Sequence, residues 1–150
     1  MSVSVQAEDF DIATEMAALS GDRDDIGAVV SFTGLVRGGA GAGAISEMHL
    51  EHYPGMTEKA LEKIASEAQE RWPLQAVRII HRVGKLKPGE QIVLVLTASA
   101  HRQAAFEAAE FLMDYLKSRA PFWKKELTSG GGKWVDARET DEAALDRWKN

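Results

Sequence analysis

The chain has 150 residues, no cysteine, and 18 lysines and arginines against 23 aspartates and glutamates, for a formal net charge of -5. A chain of that length hides about 68–70% of its unfolded surface and needs no metal or disulfide to fold. The missing thiols exclude disulfides, thiol catalysis and zinc–thiolate sites. No apolar run approaches the length of a membrane span, and the N-terminus lacks a basic region followed by an apolar one, so a cytoplasmic protein of one domain, residues 1–150, is expected.

The charge is unevenly spread. Residues 1–30 hold seven acids against Arg23 alone, whereas residues 98–138 hold seven bases and five acids. Nucleic-acid binding calls for a broad basic face, so a local basic focus on an acidic chain points to a small anionic ligand.

In chain order, Asp9 or Asp11 caps a short helix with Ile12, Met16 and Leu19 as its apolar stripe. Ile26 to Val36 is β-branched and apolar and reads as a buried strand ending at Arg37. Gly38 to Ala44 is nearly bare of side chains and reads as a mobile loop. Ile45 to Tyr53 alternates, with Met48 and Leu50 on one face and Glu47, His49 and Glu51 on the other.

Pro54-Gly-Met-Thr57 opens a helix whose Leu61, Ile64, Ala65, Ala68 and Trp72 share one side, and Pro73 closes it. Ala76–Val83 and Gln91–Ser99 are strands joined through Gly84 and the turn Lys87-Pro-Gly-Glu90. A third helix, about Arg102 to Ser118, packs Phe106, Ala109, Leu112, Met113 and Leu116. Phe122–Leu127, the turn Ser129-Gly-Gly-Gly132 and Lys133–Ala137 form a hairpin, followed by an amphipathic tail with Ala143, Ala144 and Trp148. Without strict βαβ alternation, these elements predict an α+β domain with a mostly antiparallel sheet.

The segment Tyr115-Leu-Lys-Ser-Arg-Ala-Pro-Phe-Trp-Lys-Lys-Glu126 carries most of the chemistry. Pro121 ends a helix by removing a ladder donor and pushing Ala120 out of the helical region. Lys117 then stands on the last helical turn and Lys124 on the next element, so their amines can converge on an anion. The plainer reading is a solvated helix end, where the dipole favours cations. That accounts for Lys117 but less well for Lys117, Arg119, Lys124 and Lys125 crowding one turn. Such crowding lowers a lysine pKa and a bound phosphate raises it, which leaves the protonation state open.

His101-Arg102 stands where a strand turns into a helix, a place whose free N–H groups and dipole favour an anion; a capping turn with two solvated side chains is the alternative. Arg37 borders a flexible loop, as a ligand rim does, or simply ends the strand as a surface charge. His49 and His52 are three apart on a strand and make a poor metal pair. His81 on an apolar strand reads as a satisfied core residue. Ser129-Gly-Gly-Gly-Lys133 lacks the Walker pattern, and Trp123 and Trp134 read as hairpin packing.

Taken together, Phe32-Thr-Gly-Leu-Val-Arg37, Leu50-Glu-His-Tyr-Pro-Gly-Met56, Ser99-Ala-His-Arg102, Met113 through Glu126, and Trp134-Val-Asp-Ala-Arg138 closely resemble the large, catalytic subunit of molybdopterin synthase, the MoaE family. The likeness runs in order from about residue 26 to residue 138. It implies a sulfurtransferase of molybdenum cofactor biosynthesis with an α/β-hammerhead-type fold. The substrate is cyclic pyranopterin monophosphate, which receives two sulfurs to become the molybdopterin dithiolene. Sulfur comes from the thiocarboxylated C-terminal Gly-Gly of a small ubiquitin-like sulfur-carrier subunit, in a heterotetramer built on a large-subunit homodimer.

The resemblance carries over as substrate-binding positions Leu35, Val36, Arg37, His101, Arg102, Lys117, Lys124, Lys125, Glu126 and Arg138, with Lys117 as the main catalytic lysine and Lys124 polarising. It implies no metal and no organic cofactor, and no nucleic-acid or membrane partner. The family tends to have a more polar loop after Arg37, so contacts from Gly38–Ala44 would be backbone-only here. Leu35 is likewise expected to act through its main chain. Two competing readings stand beside it. One is a non-catalytic module that binds the Gly-Gly tail of a ubiquitin-like protein, and the other is a phosphoester-processing enzyme.

Overall fold

The computed structural model describes residues 3–38, 45–128, 131–135 and 143–149. Strand β1 (Val3–Gln6) leads to helix α1 (Ile12–Ser20), capped by the Asp11 carboxylate, which accepts from the Thr14 N–H at 2.9 Å. Strands β2 (Ala28–Leu35) and β3 (Ile45–His52) precede helix α2 (Met56–Arg71). Gly55, at φ 86°, starts α2 and donates its N–H to the Glu58 carboxylate at 2.8 Å, a positive φ that glycine adopts without strain. Strands β4 (Leu74–Arg82), β5 (Gly84–Leu86) and β6 (Gln91–Ser99) then lead into helix α3 (Arg102–Arg119). The hairpin of β7 (Phe122–Thr128) and β8 (Gly131–Val135) follows, and a 3-10 turn, Leu145–Trp148, lies near the end.

The strands form two four-stranded sheets. The first runs β1-β4-β6-β2 and the second β5-β3-β7-β8. Every pairing is antiparallel except β1 with β4. The C-terminal hairpin is thus built into the second sheet through β3. Neither β1 nor β5 was expected, because strands of four and three residues carry too little alternation to be read.

Helices α2 and α3 cover one face of the first sheet, where Leu61, Ile64, Ala68, Phe111, Leu112 and Leu116 pack on Val77, Ile79, Val93 and Val95. Phe10, with Ile12 and Leu19, covers Ile80, Leu94 and Leu96 on the other. Val36, Met48, Leu50 and Leu86 make a third cluster that Phe122 joins. Trp148 packs edge-on against Trp72 and Phe111, and its indole N–H donates to Asp114.

Three expectations are corrected. β2 is an edge strand rather than a buried one, with Phe32 40% and Leu35 55% exposed. Phe106 is 60% exposed: α3 buries Ala109, Leu112 and Leu116 as expected, but Ala105, Ala108 and Phe111 complete its inner face. Met16 is exposed as well. Of the loop expected at Gly38–Ala44, residues 39–44 lie outside the described residues, as do the hairpin turn at 129–130 and the expected strand end at 136–137.

Candidate functional site

The bend between α3 and β7 is built by local chemistry. Lys117 and Arg119 occupy the last turn of α3, and Ala120 leaves the helix at φ -76°, ψ 133°, the extended region imposed by a following proline. Phe122 donates its N–H to the Ala120 carbonyl at 2.8 Å and starts β7. The fully buried Thr57 clamps this bend. Its hydroxyl donates to the Pro121 carbonyl at 2.9 Å and accepts from the Tyr53 N–H at 2.9 Å. The start of α2 and the end of α3 are thereby tied together.

Below the bend, the His81 ring stacks on Phe122 with centroids 3.8 Å apart and planes 20° apart. His81 Nδ1 lies 2.9 Å from the Arg82 carbonyl oxygen. A carbonyl only accepts, so Nδ1 carries the proton and Nε2 the lone pair. Burial pushes the His81 pKa from 6.5 down to about 4. The Arg82 carbonyl opposes that shift, and the charges of Lys117 and His52 add to it. The ring is therefore neutral at neutral pH.

Strand register sorts the cations. Lys124 lies opposite Leu50 and Val135, and Lys125 opposite His49 and Trp134. Directly paired residues share a sheet face. Lys124 therefore shares the face of the buried Leu50 and of Phe122, and Lys125 the opposite one. Arg119 is two residues from Lys117, about 200° around the helix. The expected crowd of four cations is thus divided, Lys124 from Lys125 across the faces of β7 and Lys117 from Arg119 around α3. Glu126 stands opposite Met48 and Lys133; its side chain, and all of Arg138, lie outside the described residues.

Arg37 is exposed just past the end of β2. It is aimed by Val36, which is a core residue only 3% exposed. The Val36 N–H donates to Glu90 O at 2.9 Å, and its carbonyl accepts from the Gly89 N–H at 2.7 Å. Val36 thus fixes the backbone from which Arg37 projects. Leu35 lies opposite Gln91 on the edge strand β2 and is 55% exposed.

His101 and Arg102 are exposed at the start of α3, where His101 makes no side-chain capping bond. Gly27 holds this corner. Its N–H donates to Ser99 O at 3.0 Å, and a Cβ on it would come within 2.1 Å of Ala100 O. Only glycine lets the two backbones approach so closely.

One chain does not bring all these groups together. α3 returns along β6, with Thr97 donating to Ala105 O at 2.7 Å near its start and Leu112 and Leu116 clustered with Val93 near its end. Fifteen residues of helix set Arg102 and Lys117 about 22 Å apart along the axis. β2 is antiparallel to β6, with Ala28 opposite Ser99 and Leu35 opposite Gln91. Arg37 therefore falls at the Lys117–Lys124 end of the first sheet, and His101 and Arg102 at the far end. Within a single chain, strand and helix carry these residues to opposite ends of the first sheet.

Comparison with known proteins decides the family. The family described as MoaE protein matches residues 5–119. The chain belongs to the MoaE family. It is 62% identical over 151 residues to the molybdopterin synthase catalytic subunit of Mesorhizobium japonicum, covering 99% of this chain and 94% of that one. The solved molybdopterin biosynthesis MoaE protein from Burkholderia ambifaria superposes with a TM-score of 0.85 at 55% identity, covering 99% of this chain and 98% of that one. A Helicobacter pylori structure, the complex of subunits 1 and 2 of molybdopterin-converting factor, shares the fold at a TM-score of 0.70 and 22% identity, covering 91% and 90%.

Among the described residues no helix is long and apolar enough to cross a membrane, and no group of three or more His, Cys, Asp or Glu could hold a metal. His49 pairs with Glu47 at 2.8 Å and His52 with Glu58 at 3.7 Å, on opposite faces of β3. Trp123 packs on Tyr53 with centroids 4.6 Å apart. Sequence reading missed Thr57, whose partner is 64 residues away; it read His81 as a satisfied core residue, and the ring is buried and hydrogen-bonded as expected. The single available signal for Thr57 was a hydroxyl residue inside the first turn of a helix, which is commonplace.

Proposed function

We propose that the chain is the catalytic subunit of a cytoplasmic molybdopterin synthase. It moves sulfur from the thiocarboxylated C-terminus of a small ubiquitin-like subunit to cyclic pyranopterin monophosphate. Family membership and near-complete coverage of catalytic-subunit relatives support this reading. The observation that supports it is the bend at Pro121, where α3 ends two residues after Lys117 and β7 begins two residues before Lys124.

Two anions meet in this reaction, a pterin phosphate and a thiocarboxylate. Lys117 and Lys124 steer the thiocarboxylate and stabilise charge developing on its carbonyl carbon during sulfur release. In each transfer a carbon–sulfur bond to the carrier breaks and one to the pterin forms, and the carrier tail ends as a carboxylate with oxygen drawn from water. Lys117 is the principal acid/base or acyl acceptor, and Lys124 polarises the carbonyl. Lys125, Glu126 and Arg138 remain proposed contacts carried by the resemblance alone.

A second copy of the chain supplies His101 and Arg102. A two-fold contact across the exposed β2 edge runs two β2 strands antiparallel. It sets the Arg37 end of one copy beside the Ala28 end of the other, where His101 and Arg102 sit. The exposed Phe32 and Leu35 on β2 and Phe106 on α3, which packs against β2, supply the apolar area such a contact needs. Guanidinium and imidazole at a helix start then hold the phosphate.

The experiment is dithiolene formation from the pterin phosphate and the thiocarboxylated carrier. Lys117→Ala is expected to abolish it while leaving the circular dichroism spectrum unchanged, and full activity in that variant refutes the assignment. If the carrier binds normally but the wild-type chain shows no affinity for the pterin phosphate, the non-catalytic tail-binding module is the correct reading instead.

A further inference from the structure

Sulfur release draws an oxygen from water, and water attacks a carbonyl carbon efficiently when a base takes its proton as the bond forms. Lys117 and Lys124 are assigned to the thiocarboxylate and the charge on its carbonyl, which leaves that proton without an acceptor. Two imidazoles stand beside Phe122 at the bend. His81 is closed to this work, being 5% exposed, stacked on Phe122 and bonded to the Arg82 carbonyl. His52 is the other.

His52 ends β3 directly opposite Phe122, the first residue of β7. Lys124 pairs with Leu50, so His52 and Lys124 are diagonal neighbours on one face of the second sheet. Such neighbours stand roughly 7–8 Å apart, which leaves room for a carbonyl carbon and its attacking water. Hydrogen bonds hold the adjoining turn against the bend. The Tyr53 N–H donates to the Thr57 hydroxyl, which donates to Pro121 O, each at 2.9 Å.

Glu58 orients the ring from the first turn of α2. One carboxylate oxygen accepts from the Gly55 N–H at 2.8 Å, and the other lies 3.7 Å from His52 Nε2. With Nε2 turned to the carboxylate, Nδ1 is the nitrogen that takes a proton from water. The His52 side chain is 18% exposed, enough for water to reach it. A base held by a third group is the arrangement that activates a weak nucleophile.

We propose that His52 is the general base for the water that frees sulfur from the carrier, with Glu58 positioning its ring. The thiocarboxylate sulfur bonds to the pterin while still joined to the carrier's terminal carbonyl carbon. Water adds to that carbon and gives one proton to His52 Nδ1. The carbon–sulfur bond then breaks with its electron pair going to sulfur, which stays on the pterin as a thiolate. The new carboxylic acid loses the second proton to solvent, and His52 returns the first. The step rests on the sulfur-transfer reading, whereas the placement of His52 and Glu58 does not.

The experiment is a single turnover with thiocarboxylated carrier and pterin phosphate, read as dithiolene yield and as the mass of the carrier. In His52→Ala the water step is expected to slow by roughly 100- to 10,000-fold. The carrier then accumulates as an adduct bearing the pterin, and added imidazole restores turnover. An ion pair that merely pinned the turn would give neither result. Glu58→Gln keeps an oxygen for the Gly55 N–H and removes the charge, so kcat is expected to fall with KM for the pterin phosphate unchanged. His52→Ala at the wild-type rate, or slowed with neither adduct nor rescue, overturns the proposal. Glu58→Gln at wild-type kcat overturns it even if His52→Ala misfolds. A wild-type chain that forms no dithiolene counts instead against the sulfur-transfer reading.

Discussion

Thr57 shows how a single buried hydroxyl governs the candidate site. It accepts from Tyr53 N–H and donates to Pro121 O, so Thr57→Val leaves two backbone groups without their partner in a fully buried place. Urea unfolding is expected to show a loss of about 1–3 kcal/mol, and sulfur transfer should fall with it as the bend loosens. Unchanged stability would mean that the clamp is not what holds the bend. His81 makes a pH prediction. Its folded pKa of about 4 lies below the ordinary 6.5, so the unfolded chain binds the extra proton between those values. Stability is then fully retained above about pH 6.5 and lost as pH falls toward 4, with a limiting slope of about 1.4 kcal/mol per unit. His81→Phe should remove that contribution, measured as a flatter plot of unfolding free energy against pH. At this scale the end of α3 just after Lys117 was legible, because proline chemistry fixes where a helix must stop. Thr57 was not, because nothing local marks a hydroxyl whose partner is 64 residues away.

Elements long enough to show a period were readable, and short or edge ones were not. α2 buries Leu61, Ile64, Ala65 and Ala68 as its spacing predicts. On α3 the same logic placed Phe106 inside, yet the alanines at 105, 108 and 109 take the inner face and leave Phe106 out. Small residues let the helix sit close to the sheet, and a hydropathy pattern underrates them. β2 reads as a buried strand by composition, but order within a sheet is decided by pairing, and β2 is left at the edge. The chain's end was legible only as an amphipathic tail. In the structure Leu145 is buried and Trp148 meets Trp72, Phe111 and the Asp114 carboxylate. Trp148→Ala is expected to cost about 2–3 kcal/mol, below the range for a fully buried tryptophan because Trp148 is partly exposed. Thermal or urea unfolding measures it, and a change within experimental error would show that the tail does not support the helical layer.

At the scale of the whole molecule, the two ends of the first sheet carry different halves of the proposed site. Arg37, Lys117 and Lys124 lie at one end and His101 with Arg102 at the other, separated by the length of α3. The sequence could name both halves, since each is a local motif. It could not reveal their separation, which follows from β6 and α3 running in opposite directions. A site assembled between two copies makes a quantitative demand. Lys117→Ala and Arg102→Ala should each be severely impaired alone, because every pocket lacks one half. Unfolding the two variants together and refolding them as an equal mixture gives mixed dimers in which one pocket has both native halves, and random pairing then restores about a quarter of the wild-type sites. Dithiolene formation by that mixture is the decisive measurement. Recovery to about a quarter of wild-type activity is the result the composite site predicts, and activity no higher than the two variants measured separately would contradict it.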